Sequence, residues 1–122
     1  MVARRILVLD DDPDMARTLG MLLRTRGFDP VVCFLLENAI GALSSTPPDL
    51  LLSDWNLGGG QTSADLIVAA CRAGIPVIAL TGRPDLVEDW QKSCDAVQGY
   101  SRFEILVKPA SDVLDVVSKH LA

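Results

Sequence analysis

The sequence predicts a single α/β domain with a mostly parallel sheet and helices on both of its faces. Three observations carry that expectation. Five short runs of Val, Ile and Leu recur along the 122 residues, each too short for a helix and read as a strand. The runs are continuously apolar rather than alternating, which marks strands covered on both faces. Longer amphipathic segments separate them, and strand–helix alternation builds parallel sheets with right-handed crossovers.

The first strand is read over Ile6–Leu9. A first helix follows over Asp14–Arg26, with Met15, Leu19, Leu22 and Leu23 on one apolar face and Gly27 as its stop. The second strand is Val31–Phe34. Pro30 at its entrance lacks a ladder donor, which predicts an edge position. Leu36–Leu43 forms a short second helix, ended by the stretch from Ser44 to Pro48. The third strand is Leu50–Leu52, and a glycine-rich loop leads to a helix over Ser63–Ala73 that stops at Gly74. The fourth strand, Val77–Leu80, precedes a helix over Asp85–Ser93 that carries Leu86, Val87 and Trp90, with Trp90 expected to be partly core. The fifth strand is Ile105–Val107. Ser111 is the expected cap of a last helix bearing Val113, Leu114, Val117 and Leu121, with Asp112 favourably near its N-terminus. An edge second strand suits the order 2-1-3-4-5, the established order of doubly wound, flavodoxin-like (βα)5 folds. One domain is expected over 1–122, with no effector domain after the last helix.

Charge and composition narrow the function. Lys and Arg total 11 against 16 Asp and Glu, a formal charge of -5. Such a balance, without a basic run, argues against direct nucleic-acid binding and against an anionic membrane surface. The single histidine, His120, argues against a His-based dyad or a His-rich metal site, and is expected to face solvent near a helix C-terminus. Cys33, Cys71 and Cys94 form no CxxC and an odd set, so they read as small core residues in a reducing compartment. Arg4 and Arg5 precede an apolar run too short for a secretory signal, and no stretch approaches the roughly 20 apolar residues of a membrane span. A cytoplasmic location is expected.

Ligands of doubly wound sheets bind beyond the carboxyl ends of the strands. The first run ends in Asp10, Asp11 and Asp12; the third leads through Ser53 to Asp54; the fourth ends in Thr81; the fifth ends in Lys108. The steps from 11 to 54, 54 to 81 and 81 to 108 are 43, 27 and 27 residues. The shorter step is about one βα unit, and the longer one holds the intervening second strand. Four polar clusters are therefore expected at one sheet edge. Gathered carboxylates repel one another unless a cation intervenes. A hard Mg²⁺, content with a few oxygen ligands and water, answers that need. One carboxylate of such a site is then a candidate nucleophile toward a phosphoryl group, with Lys108 and the metal neutralising charge.

The stretches Ile6–Pro13, Leu52–Asn56, Val77–Gly82 and Val107–Pro109 together resemble the motifs of response-regulator receiver domains, in order and spacing, over essentially the whole chain. The resemblance implies a phosphoacceptor at Asp54, charged by a histidine kinase or phosphotransfer protein. It implies Mg²⁺ held by the carboxylates of Asp11 and Asp54, by the Asn56 carbonyl, and by Asp10 through water. Lys108 becomes the phosphate partner and Thr81 the switch hydroxyl. Phosphorylation is then expected to alter partner binding at a face of the fourth helix, fifth strand and fifth helix. The chain is expected to accept a phosphoryl group rather than act as an enzyme.

Two positions depart from the family. Ile105 stands where many members carry an aromatic, so that aromatic switch does not carry over. Gly58, followed by Gly59 and Gly60, stands where many members carry a proline. Other readings fall short or stay open. An EF-hand counted from Asp10 would place Met15 and Met21 where Gly and Glu are needed. No GxxxxGK[ST] accompanies the glycines. Asp10–Asp14 also reads as a solvated helix start, and Thr81 as a helix cap. A haloacid-dehalogenase-like phosphatase would use Asp10, Asp12, Thr81 and Lys108, but it leaves Asp54 idle and finds Asp14 where it needs Thr or Val. A receiver-like binding module that is never phosphorylated is the third alternative.

Overall fold

The five apolar runs are the strands of one sheet in a computed structural model that describes residues 2–122. They are β1 (Arg5–Leu9), β2 (Asp29–Cys33), β3 (Leu50–Asp54), β4 (Val77–Thr81) and β5 (Phe103–Val107). The helices are α1 (Pro13–Thr25), α2 (Leu36–Ser45), α3 (Ala64–Arg72), α4 (Pro84–Ser93) and α5 (Val113–His120). All four pairings are parallel, in the order β2-β1-β3-β4-β5. β2 is an edge as Pro30 requires: the proline pairs with Ile6 and leaves no second neighbour wanting its missing N–H.

Alternate residues of each strand feed opposite faces. Ile6, Val8, Leu50, Leu52, Ile78 and Leu80 pack under α1 and α5. Leu7, Leu9, Leu51, Val77 and Ala79 pack under α2, α3 and α4. Both faces are covered, which is why the runs are apolar throughout.

The structure corrects three details. The buried stripe of α1 is Ala16, Leu19, Gly20 and Leu23; Met15 and Leu22 are 49% and 41% exposed and line a groove against α5. The apolar arc of α1 is wider than the sheet can cover. Ser111 does not cap α5; Asp112 takes the N-cap position without a side-chain capping bond. His120 does not face solvent. Its side chain is 13% exposed, with Nε2 2.8 Å from Glu104 Oε1 on β5, because the last turn of α5 lies over that strand.

Glu104 also accepts from Lys119 Nζ at 3.2 Å. Burial pushes the Glu104 carboxyl up, but its bonds from His120 and Lys119 outweigh that and hold it below its ordinary value. A carboxyl lowered by folding stabilises the fold above its unfolded pKa and loses that contribution as pH falls through the folded value. Glu104→Gln is therefore expected to flatten the acid limb of a Tm-against-pH curve below about pH 5. An unchanged acid limb would show that the contact contributes nothing.

The segment between α4 and β5 carries no sequence expectation, yet it is part of the core. Val97 is fully buried, and the Tyr100 hydroxyl donates to the Ile75 carbonyl at 2.9 Å.

Candidate functional site

Parallel strands in register bring their C-terminal ends to one edge. Leu9 pairs with Ser53, Asp54 with Leu80, and Thr81 with Val107. Asp10, Asp54, Thr81 and Lys108 thus emerge side by side although far apart in sequence. Asp10, Asp54 and Thr81 are buried polar residues, 3%, 5% and 4% exposed. Buried polar groups need partners, and these have them.

Carboxylate oxygens of Asp10, Asp11 and Asp54 all lie within 4.8 Å of one another. Lys108 Nζ stands 2.5 Å from Asp54 Oδ1, with the lysine side chain 36% and the aspartate 7% exposed. Burial raises the Asp54 carboxyl above its ordinary value; the Lys108 hydrogen bond and charge oppose that, while Asp10 and Asp11 add to it. Burial likewise raises Asp10, against the backbone bond from Asp12 and the charge of Lys108. One ammonium among three close carboxylates leaves the cluster short of positive charge.

The remaining groups hold the loops around this cluster. Asp10 Oδ1 accepts from the Asp12 N–H at 3.0 Å. Asp12 is the N-cap of α1 and accepts from the Asp14 N–H. The helix-start reading of this stretch thus holds for Asp12, while Asp10 turns inward to the cluster. Thr81 Oγ1 accepts from the Arg83 N–H at 2.9 Å, and the Thr81 carbonyl accepts from the Lys108 N–H at 2.9 Å. The cap of α4 is Arg83, not Thr81.

Asn56 Oδ1 accepts from the Gly58 N–H at 3.0 Å, which occupies its side chain and leaves its backbone carbonyl for another role. Asn56 bridges to Thr62 in an antiparallel sense, and Leu57 N–H to Gln61 carbonyl closes the turn. Gly58, Gly59 and Gly60 all take positive φ there. That conformation is what the three glycines supply. A Cβ on Gly58 would also sit 3.4 Å from Asp11 Oδ2, so this position touches the acidic cluster.

The donor set is all hard oxygen, closely spaced and negatively charged, and it suits Mg²⁺ far better than a soft or borderline metal. A groove of about 540 Å³ opens from Asp10 and Lys108 along Met15, Leu22, Pro109 and Leu114 between α1 and α5. A smaller hollow of about 320 Å³ lies between Asn56 and Thr62 on one side and Thr81 and Arg83 on the other. The groove reaches the cluster itself through Asp10 and Lys108, whereas the hollow reaches Asn56 and Thr81 at its margin. Sequence reasoning missed Trp55, whose ring packs tilted against Trp90 of α4 at a centroid distance of 4.8 Å. Its position directly after Asp54 was the only available signal.

An open parallel sheet of this order, with acids, a hydroxyl and a lysine at its carboxyl edge, defines a class of phosphoryl-handling α/β domains. No family model matches the chain. Among curated proteins it is 38% identical over 85 residues to the DNA-binding response regulator MtrA of Mycolicibacterium smegmatis, covering 70% of this chain and 37% of that protein. It is 36% identical over 85 residues to the phosphate regulon transcriptional regulatory protein PhoB of Escherichia coli, covering 67% of this chain and 37% of that protein. The match thus spans about 37% of the length of these relatives. Among solved structures, a response regulator receiver domain protein from Clostridium thermocellum superimposes with a TM-score of 0.78 at 21% identity, over 98% of this chain and 94% of that one. A CheY-like receiver domain protein from Methanospirillum hungatei gives 0.77 at 20% identity, over 98% and 94%. These neighbours share the fold. The chain belongs to the response-regulator receiver family. Among the described residues no helix is long and apolar enough to cross a membrane.

Proposed function

We propose that Asp54 is the phosphoacceptor of this receiver and takes its phosphoryl group from a phosphohistidine on a histidine kinase or phosphotransfer protein. The observation that carries this reading is the placement of a buried Asp54 carboxylate between the Asp10 and Asp11 acids and the Lys108 ammonium. An Asp54 oxygen bonds to phosphorus while the P–N bond of the donor breaks, and that bond's electron pair stays on the imidazole nitrogen. Lys108 pairs with the carboxylate beforehand and remains close to the charge that arrives.

The carboxylates of Asp10, Asp11 and Asp54 and the Asn56 carbonyl would hold Mg²⁺, Asp10 through water. Bound there, the metal supplies neutralisation of the phosphoryl oxygens. Thr81 keeps its proton free, since its oxygen accepts from Arg83 N–H. It is the hydroxyl that donates to the attached group. A change at Thr81 and Arg83 reaches the start of α4, and we assign the α4–β5–α5 face to the output partner.

The phosphatase alternative is disfavoured by two hydrogen bonds. Asp10 Oδ1 accepts from Asp12 N–H, and the Asp12 carboxylate caps α1. The second acid of that mechanism is thus committed to a helix terminus. Incubation with acetyl phosphate and Mg²⁺, followed by intact-mass measurement, tests the proposal. A covalent phosphoryl adduct is expected, and its absence with every small phosphodonor leaves only the unphosphorylated binding module.

Gly58 offers a local check on the metal assignment. Gly58→Val places a branched side chain at φ +83 and against Asp11 Oδ2. The strain costs roughly 1–3 kcal/mol, and Mg²⁺ affinity measured by calorimetry is expected to fall about tenfold or more. Unchanged affinity would separate this loop from the metal.

A further inference from the structure

We propose that the stack of Trp55, Trp90 and Phe103 carries the state of Asp54 to the α4–β5 face, taking the place of an aromatic at position 105. The inference rests on the phosphoacceptor reading of Asp54. Trp55 follows Asp54 directly, and its backbone is held from both sides. Its N–H donates to the Leu80 carbonyl at 2.8 Å, and its carbonyl accepts from the Ser63 N–H at 3.0 Å. A shift of Asp54 therefore cannot relax along the chain at that point and is passed to the Trp55 ring. That ring is 8% exposed and meets Trp90 at 4.8 Å and 49°. Trp90 meets Phe103 of β5 at 6.3 Å and 66°. Both centroid distances lie within the range of favourable aromatic contacts.

The receiving end is the least anchored helix of the domain. Val87 is the sole buried residue of α4, against four in α1, two in α2, four in α3 and three in α5. Its N-cap, Arg83, makes no side-chain capping bond. Elements with few buried apolar contacts open most easily. Trp90 is the largest apolar side chain of this helix and rests on the ring next to Asp54. A small displacement of Trp55 thus acts on the main attachment of a weakly held element. Ile105 lies on the same side of the sheet, packed against the same cluster, but it has no ring to enter the stack.

The test is amide hydrogen exchange across residues 84–93, before and after phosphorylation by acetyl phosphate with Mg²⁺, with adduct content read by intact mass on the same sample. In the wild-type protein, exchange in α4 is expected to change about tenfold, within the usual range of coupling between sites. Trp90→Leu and Phe103→Leu cut the stack at two places. Both are expected to form the adduct to the wild-type extent while the α4 response falls below about twofold. Two substitutions guard against one failing to fold. Ile105→Leu, a change elsewhere in the same cluster, is expected to keep the full response. A response that persists undiminished in either stack variant overturns the inference, as does its loss in Ile105→Leu. Adduct without any α4 response in the wild type overturns this inference alone. Absence of adduct in the wild type overturns the phosphoacceptor reading and this one with it.

Discussion

Asp54→Asn is expected to abolish the phosphoryl adduct that acetyl phosphate and Mg²⁺ place on the wild-type protein. The amide keeps the shape of the side chain and can still accept from Lys108, but it lacks the anionic oxygen that attacks phosphorus. The loss should reach the detection limit of intact-mass measurement, at least about a hundredfold. Asp12→Asn is the matched control, because its amide oxygen still caps α1. It should retain the adduct. Adduct that survives in Asp54→Asn would place the acceptor elsewhere. Adduct that vanishes instead with Asp10→Asn while phosphate is released from small phosphomonoesters would return the phosphatase reading to the front.

Asp10→Asn is expected to have opposite effects with and without Mg²⁺. Without metal, Asp10 is a buried carboxylate among like charges, its pKa raised chiefly by burial. A carboxyl raised by folding costs stability once pH climbs from its unfolded value through its folded one, and the full cost is present at neutral pH. The asparagine removes that charge and can keep the bond from the Asp12 N–H, so the metal-free variant should melt a few degrees higher at pH 7. With metal the order reverses. A ligand bound only by the folded state at about a hundred times its Kd adds about 2.7 kcal/mol. The wild-type protein should gain that much and the variant much less. Thermal melts with and without Mg²⁺, at pH 7 and at pH 4, check both signs. Equal metal stabilisation of the two proteins would remove Asp10 from the site. A metal-free variant that melts lower would show that the carboxylate's contacts outweigh its burial.

These expectations rest on residues whose roles show in the sequence itself. The apolar runs located all five strands, because a strand covered on both faces shows itself in sequence as an unbroken Val, Ile and Leu run. Pro30 marked the edge because a missing N–H is a property of one residue. Asp10, Asp54, Thr81 and Lys108 could be read as neighbours because each follows a strand, and parallel strands end together.

What was not legible depended on contacts between distant segments. The amphipathic face of α1 is visible in its periodicity. Which part of that face the sheet covers is not, and Met15 and Leu22 were left outside. His120 looked like a solvated terminal residue because its partner, Glu104, lies on another element. Ser111 has the chemistry of a cap, yet helix geometry begins two residues later. Val97 and Tyr100 sit in an irregular segment with no period to reveal their burial.

The (βα)5 alternation, the edge strand and the acids, hydroxyl and lysine at the strand ends follow from local pattern and residue chemistry alone. The 2.5 Å approach of Lys108 to Asp54, the inward turn of Asp10 and the Trp55–Trp90–Phe103 contacts arise from packing between distant segments. Those are distances between side chains, and side-chain distances exist only once the sheet has brought separate strand ends together.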